Sequence, residues 1–187
     1  MINELDDRLS TVKRWVILRT IQTQSVAEHC FNVQRICMGL APWFRITNPK
    51  ELFALSQAAL HHDDDEALTG DIPSPAKRYF ESYEKGIDDG VSSWYTKAGH
   101  QARSIVKLAD MLEAFHFLTI EMHLGNRYVR QHKVNIKRGI TFFIESHTDW
   151  PPEVSEQCVK WMARIEVTES RTYERESIRS STESAAS

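Results

Sequence analysis

An all-α single domain is the fold this sequence predicts, and three observations carry the prediction. Apolar residues recur at helical spacing through most of the chain, and few segments alternate with the period of two that a strand requires. A length of 187 residues with 41% hydrophobic content suits one core and leaves little room for a second domain.

The elements follow in order. The stretch from Met1 to Trp15 is amphipathic and acidic, without the apolar run of a signal peptide. From Val26 to Leu40, residues Val26, Cys30, Val33, Cys37 and Leu40 keep a helical period, and Ser25 with Glu28 reads as a capping box at its start. Asn48-Pro49 opens a second helix that runs to the two histidines at 61 and 62. Residues 78–96, with Gly86 and Asp88-Asp89-Gly90, read as a loop or a broken helix. The longest apolar helix is SIVKLADMLEAFHFLTIEM, and RYVRQHKVNIKRGITFFIES and PPEVSEQCVKWMARIEV are two more. A single domain over 1–168 is expected, followed by a polar, Ser-rich, loose tail over 169–187.

Composition narrows the function. The net charge is −3 with no long basic stripe, which argues against nucleic acid as a principal partner. No apolar run approaches the roughly 20 residues that span a bilayer. Cys30, Cys37 and Cys158 form no CxxC pattern, and buried free thiols in a reducing cytoplasm are the economical reading.

The stretch HHDDDEALTGDIPSPAK, residues 61–77, is the most unusual in the chain. His62 follows Ala58 by four residues and Leu55 by seven, so it falls on an apolar face, with His61 displaced by roughly 100°. His29 stands four residues before Val33 and seven before Ile36, and Asp110 shares a stripe with Val106, Ala114 and Phe117. One inward histidine is usually a hydrogen-bonded core residue, and an aspartate run is usually a solvated turn. A buried carboxylate, however, is costly without a partner or a metal. His29, His62, Asp63 and Asp110 converging on one point would form a mixed nitrogen and oxygen site suited to a first-row divalent ion.

The order H…HD…D resembles the signature of the HD-domain metal-dependent phosphohydrolases, an all-helical superfamily built around a buried metal site. Arg14-Trp15, SVAEH at 25–29, HDDDEALTGDIPSPAK at 62–77 and KLAD at 107–110 are similar to the YfbR-type bacterial 5'-deoxynucleotidases and to the phage dATP triphosphohydrolases. The resemblance runs from about residue 10 to 130. It implies that His29, His62, Asp63 and Asp110 ligate the metal, with His61 outside the pattern. It also implies that Glu66 and Asp71 handle the water and its proton, and that Arg14 and Lys77 bind phosphate. Trp15 would crowd the 2' carbon of the sugar, with Pro75 and Ile17 among the substrate contacts.

Such residues suit the chemistry. A divalent ion lowers the pKa of bound water and polarises a phosphoryl oxygen, a carboxylate moves the proton, and cations meet the phosphate charge. Zinc, cobalt, manganese and iron all suit the donor set, and a second ion could arrive with the substrate phosphates. The resemblance further implies a homo-oligomer acting on a small deoxynucleotide.

Two features bear on which ester is cut. The stretch from Lys77 to Asp110 is shorter than in the bacterial monophosphatases, which leaves room for a polyphosphate. Ile17 stands where a stiff β-branched wall could exclude a 2-amino group and favour adenine. The expected reaction is therefore dATP to deoxyadenosine and triphosphate, with dNMP hydrolysis as the alternative. An inactive nucleotide-binding HD protein is a remoter one, disfavoured because Glu66 and Asp71 are both present. The basic stretch at 127–138 reads as a solvated helix face or a subunit contact rather than a nucleic-acid surface.

Overall fold

Ser25 adopts an extended conformation and accepts from the Glu28 N–H, while the Glu28 side chain accepts from the Ser25 N–H. This reciprocal cap starts one of the helices in a computed structural model that describes residues 4–73, 76 and 93–167. The elements are α1 (Glu4–Thr11), α2 (Val26–Leu40), α3 (Pro49–Leu60), α4 (Glu66–Thr69), α5 (Ser93–Lys97) and α6 (His100–His123). A 3₁₀ turn (Arg127–Val129) leads into α7 (Arg130–Ser146), and a final helix, α8, spans 152–167. Among the described residues the one extended pairing is an isolated antiparallel bridge between Lys13 and Ser25.

Helix α6 is the spine. Ile105, Leu108, Leu112, Phe115 and Leu118 are buried along it, and α2, α3 and α7 pack against it. Val33, Cys37, Leu55 and Ala58 close the core from α2 and α3, and Val154, Cys158 and Met162 of α8 join it. Each large apolar side chain buried there contributes about 1.5–3 kcal/mol relative to exposure. The three cysteines are buried and free, and burial pushes the Cys158 thiol up to about 11, so they are inert packing groups.

Each helix expected from 26 onward is present where it falls on described residues, and Asn48 caps α3 with Pro49 in the first turn. The expected loop at 78–96 contains α5 at its end, and the rest of that range lies outside the described residues, as do Pro75, Lys77 and the tail. No helix among the described residues is long and apolar enough to cross a membrane.

Candidate active site

Two helices and a turn meet at the ligand cluster. His29 comes from the first turn of α2 and is fully buried, and Asp110 from the middle of α6. His62 and Asp63 come from the turn that follows α3, two residues beyond the end of the helix whose spacing placed His62 inward. His29 Nε2 lies 3.2 Å from His62 Nε2, 3.5 Å from Asp63 Oδ2 and 3.4 Å from Asp110 Oδ1. His29, His62 and Asp63 each offer an atom within 4.8 Å of the others.

The other ring nitrogens fix how the two imidazoles face the cluster. His29 Nδ1–H donates to Glu113 Oε2 at 2.7 Å, and His62 Nδ1–H donates to the Ala59 carbonyl at 2.8 Å. Both Nε2 atoms therefore face each other and two carboxylates. With both rings neutral, the two Nε2 atoms and the two carboxylates are four acceptors, a ligand set suited to a divalent ion.

The electrostatics set the two rings apart. Burial lowers the His62 pKa, keeping the ring neutral. Burial and the Arg14 charge also depress His29, but Asp110 and Glu113 outweigh them and raise it to about 8. Burial alone would push Asp110 up, but Lys107, His29 and Arg14 hold it well below the usual carboxylate range.

Glu113 is the site residue that the sequence reading missed. It is buried one turn after Asp110, and it accepts from His29, from Arg14 NH1 at 3.1 Å and from Gln24 Nε2 at 2.5 Å. Gln24 in turn accepts from the Trp15 indole N–H at 3.1 Å. A continuous hydrogen-bonded chain thus joins Trp15 to a candidate metal ligand. Arg14, expected at phosphate, also lies against His29 Nδ1 and 3.8 Å from Asp110 Oδ1.

Residues 12–26 form a strap across the site, closed at its base by bonds from Arg14 N–H to Gln24 O and from Val26 N–H to Val12 O. Trp15 has a φ of 66°, a left-handed backbone that is strained for an aromatic residue. Asp71 holds it there by accepting the Trp15 N–H at 2.8 Å, and the indole stacks on Phe117 at 5.2 Å. At the far end, Glu121 accepts the Ile21 and Gln22 N–H groups at 2.7 Å each, and Asn126 donates to Arg19 O.

The strap roofs a cavity of about 770 Å³. Arg14, Trp15, Ile17, His62, Asp63, Glu66, Asp71 and Asp110 all line it, and His29, the one described site residue that does not, lies 3.2 Å from His62 Nε2. Glu66, 2% exposed, begins α4 just past the ligand turn. Helix α7 supplies His132, Asn135, Ile136 and Gly139, which share one helical stripe. The basic stretch at 127–138 is thus more than a solvated face. Its Lys133 and Lys137 are tied to Glu166 of α8, each at 2.9 Å.

Comparisons with known proteins bear on the family and the fold. The family model for YfbR-like 5'-deoxynucleotidases matches residues 4–89. A dATP triphosphohydrolase of Acinetobacter phage SH-Ab 15497 is 32% identical over 158 residues, covering 75% of this chain and 76% of that one. The 5'-deoxynucleotidase YfbR of Salmonella arizonae is 39% identical over 170 residues, covering 76% and 83%. In fold, the chain is similar to the cyanophage S-2L HD phosphohydrolase DatZ, solved with dA and one catalytic Zn2+ ion. That match has a TM-score of 0.68 and 21% identity, and covers 94% of this chain and 98% of that one. Ligand cluster, helical frame and sequence relatives together place the chain in the YfbR-like family of HD phosphohydrolases.

Proposed function

We propose that the protein hydrolyses 2'-deoxynucleoside 5'-phosphates with a divalent metal ion, and that its substrate is dATP, released as deoxyadenosine and triphosphate. The observation that carries this reading is the four-acceptor cluster at the wall of a cavity large enough for base, sugar and phosphates. The phage relative named dATP triphosphohydrolase supports the choice of substrate.

His29, His62, Asp63 and Asp110 would hold the ion, which when bound supplies a Lewis acid and lowers the pKa of water. Zinc, the ion in the similar DatZ structure, leads over cobalt, manganese and iron. Water attacks the α-phosphorus, the bond from phosphorus to O5' breaks, and its electron pair goes to O5'. Asp71 takes the proton of the water, and Glu66 donates one to O5'. Arg14 and Lys77 meet the phosphate charge, and Pro75 joins the substrate contacts. Trp15, fixed by Phe117 and Gln24, crowds the 2' carbon and selects deoxyribose. Ile17, 63% exposed at the cavity wall, is placed to meet a purine edge and favour adenine. The reading includes a homo-oligomer working in the cytoplasm, and light scattering tests the assembly.

A second reading, hydrolysis of dNMPs, is favoured by the 39% identity to YfbR. One experiment separates them. Metal-loaded protein is incubated with dAMP, dADP, dATP, dGTP and ATP, and nucleoside, phosphate and triphosphate are resolved. Triphosphate from dATP is expected. Rapid dAMP turnover with dATP left intact would replace the first reading with the second.

A further inference from the structure

The walls of the cavity are acidic near the ligand cluster, where Asp63, Asp65, Glu66, Asp71 and Asp110 all line it. An elongated polyanion would be repelled there unless cations meet its far end. Three cationic side chains among the described residues line the cavity: Arg14, Lys107 and Arg103. Two are engaged close to the ligands. Arg14 pairs with Glu113 at 3.1 Å, and Lys107 Nζ donates to Asp110 Oδ2 at 2.8 Å. Arg103 is exposed one turn further out on α6 and has no carboxylate partner among the described residues.

Its position suits the end of a chain that starts at the ligands. Arg103 precedes Asp110 by seven residues on the same face, about 10 Å along the axis. Tyr95 and Thr96 of α5 line the same cavity. The Tyr95 ring meets His62 edge-on at 6.4 Å between centroids. Burial raises the Tyr95 phenol, and Lys107, Asp110, Asp63 and Arg103 all act on it electrostatically. The Tyr95 ring thus lies beside a proposed ligand in the cavity that Arg103 also lines, and the guanidinium fork suits a terminal phosphate.

We propose that Arg103, with the hydroxyls of Tyr95 and Thr96, forms a subsite for the terminal phosphate of a nucleoside triphosphate. It would be reached by a polyphosphate whose α-phosphate lies at the ligand cluster. The subsite deepens the hydrolytic reading above and rests on it for the placement of the α-phosphate. Its consequence is a preference for triphosphates set by α5 and α6, at a distance from the groups that move protons.

The test compares metal-loaded wild type with Arg103→Ala and Arg103→Lys. Binding of inorganic triphosphate and of orthophosphate is measured by calorimetry, and kcat and KM are measured on dATP. Arg103→Ala should weaken triphosphate binding and raise the KM for dATP by about 10–100-fold, the worth of a charged hydrogen bond. Orthophosphate binding should change by less than about two-fold, since it is too short to reach from the ligands, and the lysine variant should fall between. Unchanged triphosphate binding in Arg103→Ala would overturn the subsite, as would equal loss of orthophosphate. Triphosphate binding that depends on Arg103, in a protein that leaves dATP intact, would support the subsite and overturn only the hydrolytic reading.

Discussion

His29 Nδ1 and Glu113 Oε2 lie 2.7 Å apart, both buried, and that single bond decides which ring nitrogen faces the ligand cluster. Glu113 fixes the tautomer, turns Nε2 towards His62, Asp63 and Asp110, and makes the ring more basic.

Glu113→Gln keeps the shape but removes the charge. We expect metal affinity to fall by about 10–100-fold, the usual effect of losing such an outer partner. Competition with a chromophoric chelator measures it. Unaltered affinity would make Glu113 a packing residue.

Metal binding should depend on pH in a stated direction. The His29 pKa is raised from 6.5 to about 8 in the folded protein, and the ion requires the neutral ring. Affinity should therefore climb as pH rises towards 8 and level off above it. In the metal-free protein the sign for stability is opposite. The raised pKa stabilises the fold fully below pH 6.5, and that contribution is lost as pH rises through 8. Chelator competition and thermal melts from pH 6 to 9 read both, and a flat affinity profile would refute the His29 account.

Much of this was legible in the sequence, and what was not has physical causes. The capping box of Ser25 and Glu28 and the inward positions of His29 and Asp110 depend only on neighbours within two helical turns, so periodicity exposes them. Glu113 was hidden because a glutamate on an amphipathic helix reads as solvated, and its partners Gln24 and His29 are 89 and 84 residues away. The α7 stripe was hidden because a wet cavity tolerates His132 and Asn135, which look like any solvent-facing pair. The left-handed backbone of Trp15 has no local signal, since Asp71, 56 residues on, imposes it.

Asp71 serves two roles that substitution separates. Asp71→Asn keeps an oxygen to accept the Trp15 N–H and removes the proton acceptor. Turnover should drop by about 10²–10⁴ with little change in Tm. Near-normal turnover would reduce Asp71 to the anchor of Trp15.

Gly139 sets how closely α7 approaches α6, since a Cβ there would come within 3.0 Å of the Met111 methyl. Gly139→Ala asks only that this flexible end shift, and it gains up to about 1 kcal/mol of helix propensity. Gly139→Leu should intrude on the cavity and raise the KM for dATP while metal binding stays intact. Steady-state kinetics with elemental analysis would show this, and an unchanged KM would remove α7 from the substrate wall.

The most direct test of the account is metal content and dATP turnover measured side by side in Asp110→Ala, with folding checked by circular dichroism. Asp110 contributes the one proposed ligand from α6, 3.4 Å from His29 Nε2. The account predicts a folded protein in which bound metal and triphosphate release are lost together. Full metal occupancy with turnover retained would contradict it.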